Sequence, residues 1–122
     1  MKSLLRSTVV HVAFAFIAMG GWTLFANRGH GLQWASAATQ GAASAVITLV
    51  LKRVLEGLGG KFPGLLAYIV PPLITAGAIS LMLFFLHRAI GTPAILQTIA
   101  VPWCVSTLYA ILYSADVERR RR

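Results

Sequence analysis

The sequence predicts an all-α integral membrane protein, a single bundle of four transmembrane helices, and three observations carry that expectation. First, charged residues divide the 122-residue chain into four long uncharged intervals, 7–27, 29–51, 62–87 and 89–115. A helix rising ~1.5 Å per residue needs ~20 mostly apolar residues to cross a hydrocarbon core of roughly 30 Å, and every interval is long enough. Second, 57% of the residues are hydrophobic, 11% are charged and the mean hydropathy is +0.76, against about 25% charged residues in soluble domains. Third, runs such as "LMLFFL" and "VAFAFIAM" show no alternation of apolar and polar residues, which argues against a β-barrel.

The first span is expected at about 8–26. Lys2 and Arg6 precede it as they would a secretory signal, but the apolar run continues to Ala26, beyond the ~7–15 residues of a signal core, so an uncleaved span is expected. The second, about 32–53, follows the turn "NRGHG" and ends at Lys52 and Arg53. The third, about 64–87, follows "EGLGGKFP"; Pro71 and Pro72 stand within a turn or two of its start, where the helix is expected to bend or begin afresh. The fourth, about 94–114, follows "AIGTP", and Pro102 is expected to kink it by removing the bond that the Thr98 carbonyl would accept. Connections this short leave no room for an extramembrane unit, so residues 1–122 are expected to form one domain. The pairs "TQ" at 39–40 and "QT" at 97–98 do not extend into a repeat.

Orientation follows from charge. With the N-terminus cytoplasmic, Lys2, Arg6, Lys52, Arg53, Lys61, Arg119, Arg120, Arg121 and Arg122 fall inside, and only Arg28 and Arg88 fall outside. That asymmetry satisfies the positive-inside rule and predicts an inner (plasma) membrane protein with both termini cytoplasmic. Trp22 and Trp34 near the outer span ends, and Tyr68, Tyr109 and Tyr113 toward the inner ones, agree with it, because their rings favour the headgroup level.

Two polar faces interrupt the apolar spans. On the second, Ala37, Gln40, Gly41, Ser44, Thr48 and Lys52 share one side at ~100° per residue, with Gln33 continuing it outward; Ala42, Val46, Leu49 and Val50 lie opposite. Lipid offers the Gln40 amide no partner, so this face is expected to meet protein or water. Ala37, Gly41 and Ala45 form a small-xxx-small series suited to close helix packing. On the fourth span, Thr98, Pro102, Ser106, Tyr109 and Tyr113 make a second such face. Gln33, Gln40, Gly41, Ser44, Thr48, Thr98, Pro102 and Ser106 are therefore the candidate residues of a substrate path or a packing stripe.

Several function classes find no support. His11, His30 and His87 lie in different segments without a carboxylate beside them, so no metal site is expected; His11 is the one histidine well within an apolar run, expected as an interfacial or buried residue. Cys104, the only cysteine, is expected to be a packing residue without a disulfide. Glu56 is expected to pair with Lys52 or Arg53 one turn back. Neither G-x-S-x-G, H-E-x-x-H, a phosphate loop nor a pair of intramembrane carboxylates occurs, so neither an enzyme nor a cofactor is expected. The net charge of +8 reflects arginines at the membrane surface. Arg119 to Arg122 are expected to meet anionic lipid headgroups rather than nucleic acid.

The first span lacks the glutamate of small multidrug resistance exporters, and the charge asymmetry differs from that of dual-topology fluoride channels. In length, span number and orientation the chain is similar to the GtrA-like proteins, which handle lipid-linked sugars; the likeness rests on those features and on no motif. The function expected is non-enzymatic transport, or help in transport, of a small or lipid-linked solute, by a homo-oligomer or with a membrane-protein partner. The alternative is a structural or assembly subunit that docks these faces on a larger membrane complex.

Overall fold

A computed structural model describes residues 8–121 as four helices: α1 Thr8–Ala26, α2 Gln33–Leu58, α3 Leu66–Ile90 and α4 Ile95–Arg121. All four are long and apolar enough to cross a membrane. Short connections make successive helices antiparallel neighbours. The α1–α2 and α3–α4 turns therefore share one end of the bundle, here the upper end. The α2–α3 turn, the start of α1 and the end of α4 share the lower end.

Helices α2, α3 and α4 build the apolar core, where Leu51, Leu55, Ile79, Leu83, Ile99 and Ala110 cluster. Leu83 and Ala110 are wholly buried. The Trp103 indole ties α4 to α3 by donating to the Ala76 carbonyl at 2.9 Å. Helix α1 contributes nothing to that core and makes no contact with α3. It is held on one side by α2 and reaches α4 through a smaller contact.

Two helices outlast the expected spans. Helix α2 continues past Arg53 to Leu58 because Leu55 is buried in the core, and it stops at the glycine pair Gly59–Gly60. Helix α4 continues past residue 114 to Arg121, where Asp116 pairs with Arg119 at 3.7 Å and Arg120 at 3.2 Å, and Glu118 with Arg121 at 3.8 Å. Charge ends a membrane span without ending a helix, and pairs at i, i+3 and i, i+4 support the extension.

Of the two outcomes expected at Pro71 and Pro72, a bend or a fresh start, the fresh start is excluded: α3 is continuous from Leu66 with both prolines buried inside it. As the sixth and seventh residues of the helix, each lacks the N–H that would bond the carbonyl four residues back, yet the helix runs on. The Thr75 hydroxyl donates back to the Pro71 and Pro72 carbonyls, both at 3.1 Å. Helix α4 is likewise continuous through Pro102.

Candidate functional site

Ser36, Gln40, Ser44 and Thr48 follow one another at four-residue spacing, which stacks them along one face of α2. Gln40 is wholly buried and meets the equally buried His87 from the last turn of α3, whose Nε2 lies 2.8 Å from Gln40 Oε1. The amide continues the contact downward, Gln40 Nε2 donating to Ser44 Oγ at 2.8 Å. Upward, His87 Nδ1 lies 2.7 Å from Thr92 Oγ1, and that oxygen lies 2.8 Å from Ser36 Oγ.

Local backbone geometry puts Thr92 there. Gly91 takes the left-handed conformation at φ 81°, its N–H bonds the Arg88 carbonyl and the Thr92 N–H bonds the His87 carbonyl. This is a Schellman closure, and glycine suits its left-handed residue. The turn folds the chain back over the helix end, so the Thr92 side chain reaches the ring of His87.

The donors then order themselves. Gln40 Nε2 donates to Ser44 and Oε1 accepts, so His87 Nε2 carries its hydrogen. In the neutral ring Nδ1 then accepts from the Thr92 hydroxyl, which accepts in turn from Ser36. A single line of four hydrogen bonds thus runs from Ser36 to Ser44 through an imidazole, all five residues being buried. Buried polar groups are costly when unpaired, and this line pairs them.

A second polar junction joins α1 to α4 at the upper end. Asn27, wholly buried, donates from Nδ2 to the Thr23 carbonyl at 2.9 Å and to Thr98 Oγ1 at 2.6 Å. Its Oδ1 accepts from the Ala94 N–H at 2.9 Å, capping the start of α4 from the turn that follows α1. The Trp22 indole donates to the Gln97 carbonyl nearby, at 2.9 Å.

Below this junction α1 and α4 part, leaving a cavity of about 1210 Å³ among α1, α2 and α4 with no wall from α3. Its α1 wall is apolar, from Val10, Phe14, Ala15 and Met19, with His11 toward the lower end. The α2 and α4 walls carry hydroxyls: Ser44, Thr48, Ser106, Tyr109 and Tyr113. Lys52, Arg53 and Glu56 stand at the lower mouth. Phe14 and Val105 are exposed on its two lips, so the cavity opens sideways between α1 and α4 as well as downward.

The candidate residues divide among these features. Ser44, Thr48, Pro102 and Ser106 line the cavity, while Gln40 stands behind Ser44 in the hydrogen-bonded line. Thr98 belongs to the Asn27 junction, and Gly41 to the α1–α2 contact, where an added Cβ would lie 3.1 Å from the Phe16 carbonyl oxygen. Gln33 accepts from the Gly29 N–H at 3.0 Å in the upper turn, apart from the rest. Arg119, Arg120 and Arg121 are exposed at the lower end, and Arg122 lies outside the described residues, as do Lys2 and Arg6.

Two expectations about single residues are corrected and a third is narrowed. Glu56 accepts from the Tyr113 hydroxyl at 2.6 Å rather than pairing with Lys52 or Arg53, because α2 and α4 pack together and bring the two side chains face to face. Cys104 is exposed on the outside of α4 rather than packed. Of the two places expected for His11, interfacial or buried, the buried one is excluded, since His11 is exposed at the cavity wall; the histidine enclosed by protein is His87. Among the described residues no group of three His, Cys, Asp or Glu side chains could hold a metal ion.

His87, Thr92, Ser36, Asn27 and Thr23 were not legible as site residues. A signal for Ser36 existed in the series 36, 40, 44, 48, and one for Asn27 in its i, i+4 relation to Thr23. No family model, no curated protein and no solved structure matches the chain.

Proposed function

We propose that the protein is a non-enzymatic, multi-pass protein of the cell inner membrane that binds a small or lipid-linked solute and helps to move it, as a homo-oligomer or with a membrane partner. The observation that carries this reading is the cavity, with one apolar wall, two hydroxyl-bearing walls and a side opening between α1 and α4. A lipid-linked solute fits such a shape: its headgroup follows Ser44, Thr48 and Ser106 while its chain stays in lipid at the gap. Lys52 and Arg53 at the mouth favour an anionic headgroup. Large exposed apolar residues around the bundle, among them Ile17, Leu73, Leu81, Phe85 and Leu108, suit a lipid surroundings rather than water.

Charge asymmetry supports both termini being cytoplasmic, with the lower end and the cavity mouth inside. Reporter tags on either terminus should therefore be cytoplasmic, and an outside location of either one overturns the four-span topology.

Single cysteines in a Cys104→Ala background test the path itself. Thr48→Cys and Ser106→Cys should react with a membrane-impermeant thiol reagent in native membranes, because reaction needs water and a thiolate. Gln40→Cys, behind the wall, and Val46→Cys and Val50→Cys on the opposite, exposed face of α2 should stay silent. Silence of Thr48→Cys and Ser106→Cys as well would favour the rival, an assembly subunit whose α1–α4 gap is filled by a partner's helix.

A further inference from the structure

We propose that His87 is the proton-binding group of this protein, loaded from the upper, outer side through Ser36 and Thr92 and read by the cavity through Gln40 and Ser44. The proposal rests on the solute-path reading and assigns it a means of energy coupling. Packed between α2 and the α3–α4 turn, His87 is wholly buried, and an ionisable side chain withdrawn from water in a membrane protein is costly and commonly functional.

The line of hydrogen bonds is chemically lopsided. Thr92 and Ser36 are hydroxyls, each able to donate and accept, so a proton delivered to Ser36 can arrive at Nδ1 by each oxygen passing on its own hydrogen. After loading, Nδ1–H donates to Thr92 Oγ1, Thr92 donates to Ser36, and the ring is an imidazolium with Nε2–H still on Gln40. The carboxamide of Gln40 is different. Its nitrogen donates to Ser44 and its oxygen accepts from His87, and passing a proton through it would require an imidic acid. Gln40 therefore transmits orientation and charge to the cavity wall while blocking a proton leak.

The surroundings leave the loaded ring without a counter-charge. From α2 it faces Gln40, which does not titrate, and from the α3–α4 turn it faces Thr92. The charged residues of α4 begin at Asp116, at the lower end, and those of α2 are Lys52, Arg53 and Glu56, also low. His11, the titratable residue of α1, faces the cavity. Arg28, His30 and Arg88 at the upper end are all exposed, and no ion pair of the described residues includes His87. A buried imidazolium without a partner draws an anionic group toward it. An anionic headgroup at Ser44 supplies one, so loading and occupancy favour each other by the same factor.

The test uses the full chain in lipid vesicles with the cavity mouth facing outward. External pH is held constant, so a change in the labelling of Ser106→Cys in Cys104→Ala arises from the lumenal side, and only lumenal pH is lowered from about 8 to about 5, the range in which imidazole ordinarily titrates. The probe is an anionic thiosulfonate reagent added outside. Its labelling rate should rise at least about threefold as the lumen is acidified, since a new positive charge acts on both reagent and thiol. In His87→Gln, which keeps a donor and an acceptor but does not titrate, the rise should vanish.

A rate indifferent to lumenal pH, or a rise that persists in His87→Gln, overturns the proposal. Silence of Ser106→Cys at every pH sinks the solute-path reading instead. The ¹⁵N shifts of the His87 ring then decide the relay alone: shifts that follow lumenal pH sustain it, and shifts that follow external pH, or neither, overturn it.

Discussion

Asn27→Leu should weaken the bundle more than any other single polar-to-apolar change on α1 or its upper turn. The leucine is close in size, so it creates little cavity, but it leaves the Ala94 N–H without its acceptor and Thr98 Oγ1 without its donor. Each buried group left unpaired costs about 1–3 kcal/mol in soluble proteins. Side-chain bonds between membrane helices average nearer ~0.6 kcal/mol because the separated helices find other partners. A loss of about 2 kcal/mol in detergent, read from a denaturant titration, lies between these limits and is the expected result. Trp22→Phe removes only the exposed bond to the Gln97 carbonyl and should cost less than half as much. Equal losses in the two variants, or none in Asn27→Leu, would show that the junction does not hold α1 to α4.

That junction also explains the shape of the cavity. Helix α1 has no place in the core formed by α2, α3 and α4, and the polar links that Trp22 and Asn27 make to α4 lie at the upper end. Tied to α4 there, α1 leaves a gap beside α4 toward the end where Lys52, Arg53 and Glu56 stand. The open part of the gap is therefore its lower part, between α1 and the hydroxyl-bearing walls of α2 and α4.

The helices were legible because uncharged length is a local property of the chain: four intervals gave four helices, each in the expected place. Helix ends were less legible, since Leu55 and Val117 extend α2 and α4 through tertiary contact rather than through apolarity. Gly59 shows why, for an added Cβ there would lie 2.8 Å from Val117 Cγ1. The polar line was illegible for a different reason. Asn27, His87 and Thr92 fall at helix ends or in turns, where polar residues are ordinary, and each bonds a residue far away in sequence: Thr98, Gln40 and Ser36 respectively. Without that pairing, His87 reads as a headgroup-level residue beside Arg88. The four-residue series on α2 was the one local trace of the line, and of it only Gln40, Ser44 and Thr48 stood out, because Ser36 sits among alanines near the turn.

Gly41→Leu should separate α1 from α2. A Cβ at Gly41 would stand 3.1 Å from the Phe16 carbonyl oxygen and 3.2 Å from two carbons of its ring, so even alanine presses on backbone. Gly20 faces it from α1: a Cβ there would lie 3.2 Å from the Ala37 carbonyl oxygen and 3.7 Å from Gly41 Cα. Two glycines opposed in this way let the helix axes approach, and the dispersion contacts along the seam depend on that approach, because lipid supplies no hydrophobic drive between spans. Leucine adds three further carbons where none fits, and overpacking of this kind typically costs about 1–3 kcal/mol, with more where backbone must move. Since α1 is absent from the core, the expected loss falls on α1 alone: protease or labelling access to α1 increases while the α2–α4 unit stays folded. Gly77→Leu is the control, because a Cβ at Gly77 meets nothing within 4 Å. Gly41→Leu and Gly77→Leu giving the same midpoint in a detergent unfolding titration, with α1 equally protected in both, would rule out a close α1–α2 seam at Gly41.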